Sequence, residues 1–370
     1  MKRIQEVLKN PNRILVFPFD LMAHYLRCLS LVSNLPESEV MFAESKSYNS
    51  FVHEKEFSTF ECEGFDASFV LERAENFDFS WLNYKDANRV LLSQISVINE
   101  FKPDLVIGDT SPTLKMAAEI CGVRYVTLMN GYMSKYYSKV RALSKFHPGY
   151  EHLLKLPPEI AEKITSFAER IAFWYVHKPF RKLRTENKLK RLKSFIDETE
   201  GDEVLICDHF NIFPQKAIPN NYHEIGPLIW ESEDTLKGID QEIDRKKKTI
   251  LVSMGSSGNW KNVVFLNSGL YNQYNIITAG DKDALLKGSN VFSRDFLNLD
   301  KALVISDLFI CHGGSGTSAM GVAQKVKMLF FTSHFEQEWN VKGMVDAGFG
   351  LDGTGSSESE IDRVITSLVS

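Results

Sequence analysis

Short apolar runs recur along the chain, each followed by a polar or glycine-bearing turn and then by a stretch with helical signals. In the first half they are residues 13–17 (RILVF), 39–42 (EVMF), 104–107 (DLVI), 124–128 (RYVTL) and 203–207 (EVLIC). In the second half they are 249–253 (TILVS), 274–278, 290–292, 308–311 (LFIC) and 327–331. Near-continuous apolar runs of this length suit strands buried on both faces of a parallel sheet. Helices are predicted over 24–34, 86–101, 113–121, 317–325 and 338–346. The second of these gathers Val90, Leu91, Ile95, Val97 and Ile98 broadly on one side. Pro112 and Gly122 bracket the third, and Gly348 stands where a helix-ending glycine belongs. Residues 43–78 are irregular and aromatic and give no assignment.

Strand–helix alternation predicts an α/β protein with doubly wound parallel sheets. The chain's 370 residues are long for one core. Residues 231–248 are highly charged without a strand pattern, and Tyr222 to Pro227 reads as a last strand with a Gly-Pro exit. The expected organisation is therefore a domain over 1–227, a linker over 228–248 and a second domain over 249–370. A 44% hydrophobic share supports two sizeable cores. The net charge of -5 gives no reason to expect a nucleic-acid partner. Five dispersed cysteines have neither metal spacing nor a disulfide framework, favouring a reducing cytoplasmic setting. The start, MKRIQEVLKNPNR, is too polar for a signal peptide, and no apolar stretch is long enough to span a membrane.

The stretch richest in chemistry is 306–350. His312 follows an apolar strand and precedes Gly313, Gly314, Ser315, Gly316 and Thr317, which open a helix. Bare glycine amides and a helix amino terminus suit an anion, above all a phosphate or diphosphate. Glu336 and Gln337 at the end of the next strand offer a carboxylate and an amide to sugar hydroxyls. Gly255 and Ser256 form a second small-residue loop after the strand at 249–253. Asp281-Lys282-Asp283 imitates a metal-binding Asp-x-Asp but reads better as a solvated helix start. In the first domain, Asp109 lies at a strand's carboxyl end, where it either orients a neighbouring side chain or caps the next turn.

Residues 306–350 resemble the donor-binding signature of nucleotide-sugar glycosyltransferases of the two-domain GT-B fold, in particular the UDP-glycosyltransferases and the bacterial macrolide enzymes. His312, Gly314, Gly316, Thr317, Glu336 and Gln337 carry the resemblance. It implies two Rossmann-like domains facing across a crevice. It also implies an inverting, metal-independent transfer from a UDP or dTDP donor to a hydroxyl, with Gly255 and Ser256 joining the diphosphate site. The nucleotide-sugar is a co-substrate, so no cofactor and no metal are expected. His24, six residues after Pro18, matches the family's general base. Plant members pair that base with an aspartate eight residues beyond the position of Asp109, where this chain has Ala117; Asp20 and Asp109 are the replacement candidates. UDP users generally carry a ribose-binding glutamate at the position of Met320, so its absence makes dTDP credible. Family members also continue past the position of Ser370 with a helix returning to the first domain.

Residues 131–199 hold many aromatics and a basic helical stretch over 178–193. Two readings stay open there: a site for a large apolar or lipid-linked acceptor with peripheral membrane contact, or core aromatics beside a solvated helix face. Two other functions also stay open, a sugar-nucleotide 2-epimerase and a catalytically silent donor-binding partner subunit.

Overall fold

The computed structural model describes residues 2–369 apart from 34, 36, 37, 231–234 and 282. Asn34 of the first expected helix, four linker positions and Lys282 of the Asp-x-Asp lookalike thus lie outside the described residues. The chain divides into two compact units, Met1–Trp230 and Glu231–Ser370.

The first unit is built on β1 (Arg13–Pro18), β2 (Glu39–Ala43), β3 (Ser58–Phe60), β4 (Leu105–Asp109), β5 (Arg124–Met129), β6 (Glu203–Ile206) and β7 (Tyr222–Glu224). They form one parallel sheet in the order β3-β2-β1-β4-β5-β6-β7. Alternate side chains of β1 enter different cores. Leu15 and Phe17 pack with Val90, Leu91 and Leu114, whereas Ile14 and Val16 pack with Tyr25, Leu29 and Val40. Burial on both faces is why these strands read as unbroken apolar runs. The unassigned region supplies two short helices, Asn49–Glu54 and Ala67–Glu75, around the three-residue edge strand β3.

The second unit repeats the plan with β8 (Thr249–Ser253), β9 (Asn275–Ala279), β10 (Val291–Arg294), β11 (Leu308–Cys311), β12 (Lys327–Phe330) and β13 (Gly350–Asp352). Its parallel order is β10-β9-β8-β11-β12-β13. Two expectations change here. The charged segment before β8 contains a short helix, Ile239–Glu242. Asp281 does not open a solvated helix: it is buried, and its carboxylate accepts from the Leu285 and Leu286 amides at 3.0 and 2.9 Å.

Between β5 and β6 lie two long-range inserts, the helices Pro158–Val176 and Lys178–Glu186. The second is not simply a solvated basic face. Arg184 is fully buried, with Nε 2.6 Å and Nη2 2.8 Å from the Glu198 carboxylate and Nη1 2.8 Å from Glu119. His177 reaches the same Glu198 at 2.7 Å. This network ties the insert to the helix Leu114–Cys121 and to the turn Phe195–Thr199. Replacing Arg184 with Met would leave a buried carboxylate without its main countercharge. The expected cost is about 3–5 kcal/mol, read from the denaturant transition of the unit Met1–Trp230; an unshifted midpoint would refute it.

Candidate active site

In each sheet the chain leaves its first strand in one direction and its fourth in the other, so two carboxyl-terminal loops meet at a topological switch point, where ligands bind. In the first unit these loops follow β1 and β4, whose ends are in register at Pro18 and Asp109. The helix Met22–Val32 begins just beyond β1 and carries His24 in its first turn and Arg27 one turn later. His24 Nδ1 lies 2.8 Å from Asp109 Oδ1, although 85 residues separate them. Arg27 grips the same carboxylate, with Nε 2.6 Å from Oδ2 and Nη2 on Oδ1, and its Nη1 donates to Asn130 Oδ1.

Asp109 is wholly buried. Burial alone would push its carboxyl up, but the charges of Arg27 and then His24, with their hydrogen bonds, hold it well below the usual carboxylate range. An ionised Asp109 can only accept, so the His24 Nδ1–H donates to it and Nε2 is the ring nitrogen turned away from the carboxylate. The His24 side chain is 13% exposed, and the Phe19 ring meets it edge-on at 5.8 Å. Of the two aspartates considered, Asp109 meets the histidine. Asp20 instead accepts from Ser45 Oγ at 2.5 Å and from the Lys46 amide at 3.3 Å. Arg27 escaped the sequence reading, although its place three residues after His24, on one helix face, was the available signal.

Beside this cluster, at the same end of the sheet, is a cavity of about 310 Å³. Phe17, Phe19 and Phe65 give it apolar walls, and Gln94, Ser111 and Asp20 add polar ones.

In the second unit the loops after β8 and β11 meet in the same way, Ser253 being in register with Cys311. His312 fills the space between them. A Cβ on Gly255 would stand 2.6 Å from its Cε1, and one on Gly314 would collide with Nε2, so both positions require glycine. The helix Ser315–Ala323 starts directly after, with Gly316 exposed and open space before it. Asn340, from the helix Phe335–Asp346, donates to the Gly313 carbonyl at 2.8 Å and to Ser318 Oγ at 3.0 Å, bracing the loop. Ser256 is exposed at the tip of the β8 loop.

Glu336 and Gln337 depart from expectation. They sit in the first turn of the helix Phe335–Asp346, not in a loop before it. Gln337 is buried. Its Oε1 accepts from the Ser333 amide at 2.7 Å, and its Nε2 donates to Ser257 Oγ at 3.2 Å. That amide therefore links the loop after β8 to the loop after β12, while Glu336 is half-buried beside it.

His312 and His334 are both buried. Burial, then the nearby His334, bring the His312 ring down to about 4, with a contact to the Ser253 backbone opposing. Burial likewise lowers His334. Between that value and the ordinary histidine value of about 6.5, the unfolded state binds a proton that the folded ring refuses. The contribution is complete above pH ~6.5 and is lost as pH falls towards 4, amounting to about 3 kcal/mol. The unit Glu231–Ser370 should lose denaturant resistance on acidification through that window, and His312→Asn should flatten the slope. Equal pH slopes for both proteins would contradict the assignment.

No family model matches the chain. A PGL/p-HBAD biosynthesis glycosyltransferase of Mycobacterium tuberculosis is 25% identical over 275 residues, 73% of this chain and 63% of that protein. A PGL/p-HBAD biosynthesis rhamnosyltransferase of Mycobacterium bovis is 23% identical over 343 residues, 89% of this chain and 74% of that protein. The spinosyn rhamnosyltransferase SpnG superposes with a TM-score of 0.68 at 13% identity, covering 96% of this chain and 91% of the other. The glycosyltransferase VinC, solved in complex with dTDP, gives 0.63 at 15% identity, covering 97% and 91%. The chain therefore has the GT-B fold, and the proteins it resembles in sequence and structure are glycosyltransferases.

Proposed function

We propose that the chain is an inverting glycosyltransferase that moves a sugar from a nucleoside-diphosphate donor to a hydroxyl acceptor. The observation that carries this reading is the His24–Asp109 pair, in which a buried, Arg27-clamped carboxylate leaves one imidazole nitrogen as a base. His24 Nε2 takes the acceptor's proton as its oxygen attacks the anomeric carbon. The bond from that carbon to the diphosphate breaks, and its electron pair leaves on the phosphate. The amides of Ser315, Gly316 and Thr317 receive the growing charge, with Gly255, Ser256, Gly314 and His312 completing the site. A preorganised donor of this kind is worth about 3 kcal/mol each. Because the amides and helix terminus take up that charge, the reaction needs no metal and no cofactor. Glu336 holds a sugar hydroxyl, and Gln337 braces the loop after β8 against the one after β12. The aromatic cavity beside His24 is the proposed seat of a small-molecule acceptor.

dTDP is the proposed nucleotide. Met320 offers no carboxylate to a ribose diol, and VinC and SpnG were both solved with thymidine diphosphate. One relative, 23% identical over 178 residues, is named as an inactive glycosyltransferase. The paired His24 and Asp109 favour the active reading over a silent subunit. Incubation with dTDP- and UDP-sugars, with and without hydroxyl acceptors, tests this: transfer or slow donor hydrolysis is expected, and binding without turnover would sink it.

Two substitutions sharpen the reading. His24→Ala should lower transfer by roughly 10²–10⁴, the usual worth of a positioned base, while calorimetric affinity for the nucleoside diphosphate stays intact. Transfer at the parent rate would move the base elsewhere. Met320→Glu should shift competition binding from dTDP towards UDP; an unaltered ratio would remove Met320 from the nucleotide site.

A further inference from the structure

The helix Pro158–Val176 is built inside out. It runs nineteen residues without one buried side chain. Its large apolar residues nevertheless repeat as on an amphipathic helix: Ile160, Ile164, Phe167, Ile171, Trp174 and Tyr175 follow steps of four, three, four, three and one. All six are exposed, Phe167 at 64%, Trp174 at 53% and Ile171 at 50%. The helix holds to its own unit by another side. There the carboxylate of Glu169 meets Arg141, whose guanidinium also stands 5.9 Å from the Phe173 ring. Leu154 and Leu156, in the segment leading into the helix, extend the apolar surface. A contiguous exposed patch of this kind marks a surface that something covers.

The charge around it selects the occupant. Residues 145–193 contain twelve lysines and arginines against five glutamates, a net +7 in a chain whose total is -5. Lys155, Lys163, Arg170 and Lys178 are exposed along and beside the stripe, and the Arg181 guanidinium lies 4.6 Å from the Trp174 ring. A second copy docking the same face would bring +7 against +7, which opposes self-association. An anionic lipid surface satisfies both halves, since the stripe enters the acyl boundary while the cations meet headgroups. Trp174 and Tyr175 at one end of the stripe are residue types that favour that interface. Among the described residues no helix is long and apolar enough to cross a membrane, so the contact is peripheral.

We propose that this helix docks the protein on anionic membrane surfaces, lying in the interface plane. The surface stands independently of the transfer reaction, and its test uses neither donor nor acceptor. The full chain is floated with vesicles of phosphatidylcholine alone or mixed with phosphatidylglycerol. Binding to the mixed vesicles is expected, weak with phosphatidylcholine alone and diminished by added salt. Phe167→Ser combined with Trp174→Ser should cut partitioning by roughly tenfold or more, as should Lys163→Glu combined with Arg170→Glu. Because these positions are exposed, circular dichroism and thermal midpoint should stay as in the parent. Failure of the parent to float with anionic vesicles would overturn the proposal. So would variants that bind as the parent does, or a dimer in light scattering that the Phe167→Ser, Trp174→Ser variant dissolves.

Discussion

One buried carboxylate governs the first unit's chemistry. Asp109 has no access to water, so it persists as an anion only because Arg27 and His24 surround it. That requirement runs in both directions. The anion orients His24 through Nδ1, and Arg27 supplies a countercharge to the carboxylate within the cluster. Sharing Asp109 between two partners keeps the carboxylate ionised and the imidazole oriented at once.

The two sheets solve the same steric problem with different side chains. Each brings two loops together at a strand-order reversal, and each fills the junction with a histidine. In the first unit the junction is polar and ionised. In the second it is neutral: His312 is enclosed, held near 4, and packed beneath Gly255 and Gly314. A charged ring there would need a countercharge that the surrounding glycines cannot supply. The neutral ring instead acts as a spacer, setting the separation of two loops whose amides remain available to an anion.

The fold was legible because parallel strands buried on both faces leave unbroken apolar runs, and Leu15 beside Val16 illustrates why both had to be apolar. The strand-ending loops were legible too, since His24, Asp109 and His312 stand just after such runs. What escaped was pairing across long sequence separation. Nothing in the chain's local pattern says that Asp109 rather than Asp20 meets His24; strand order decides it by setting β4 beside β1. Gln337 was misjudged for a local reason. The helix Phe335–Asp346 begins three residues earlier than its apolar spacing suggested, which turned an expected loop amide into an internal brace. Neither reading of the basic stretch anticipated that Arg184 is buried, because its partner Glu198 follows fourteen residues later, beyond any helical spacing.

The insert between β5 and β6 shows where pattern reading stops short of function. Apolar residues at helical spacing ordinarily mean a face turned towards a core, and the stripe from Ile160 to Tyr175 has that spacing. In the structure the stripe faces outward, and Glu169, Phe173 and Val176 on another side meet the unit. Periodicity reports only that two faces differ; it is silent on which one is turned inward. The choice is made by the neighbours. Glu169 finds Arg141, and Arg184 in the last turn of the next helix finds Glu198 and Glu119, so the polar anchoring is already satisfied within the unit. With those pairs made, rotating the stripe inward would break ion pairs without opening a cavity to receive six large side chains. The apolar face therefore stays outward, and its burial is left to a surface outside the protein.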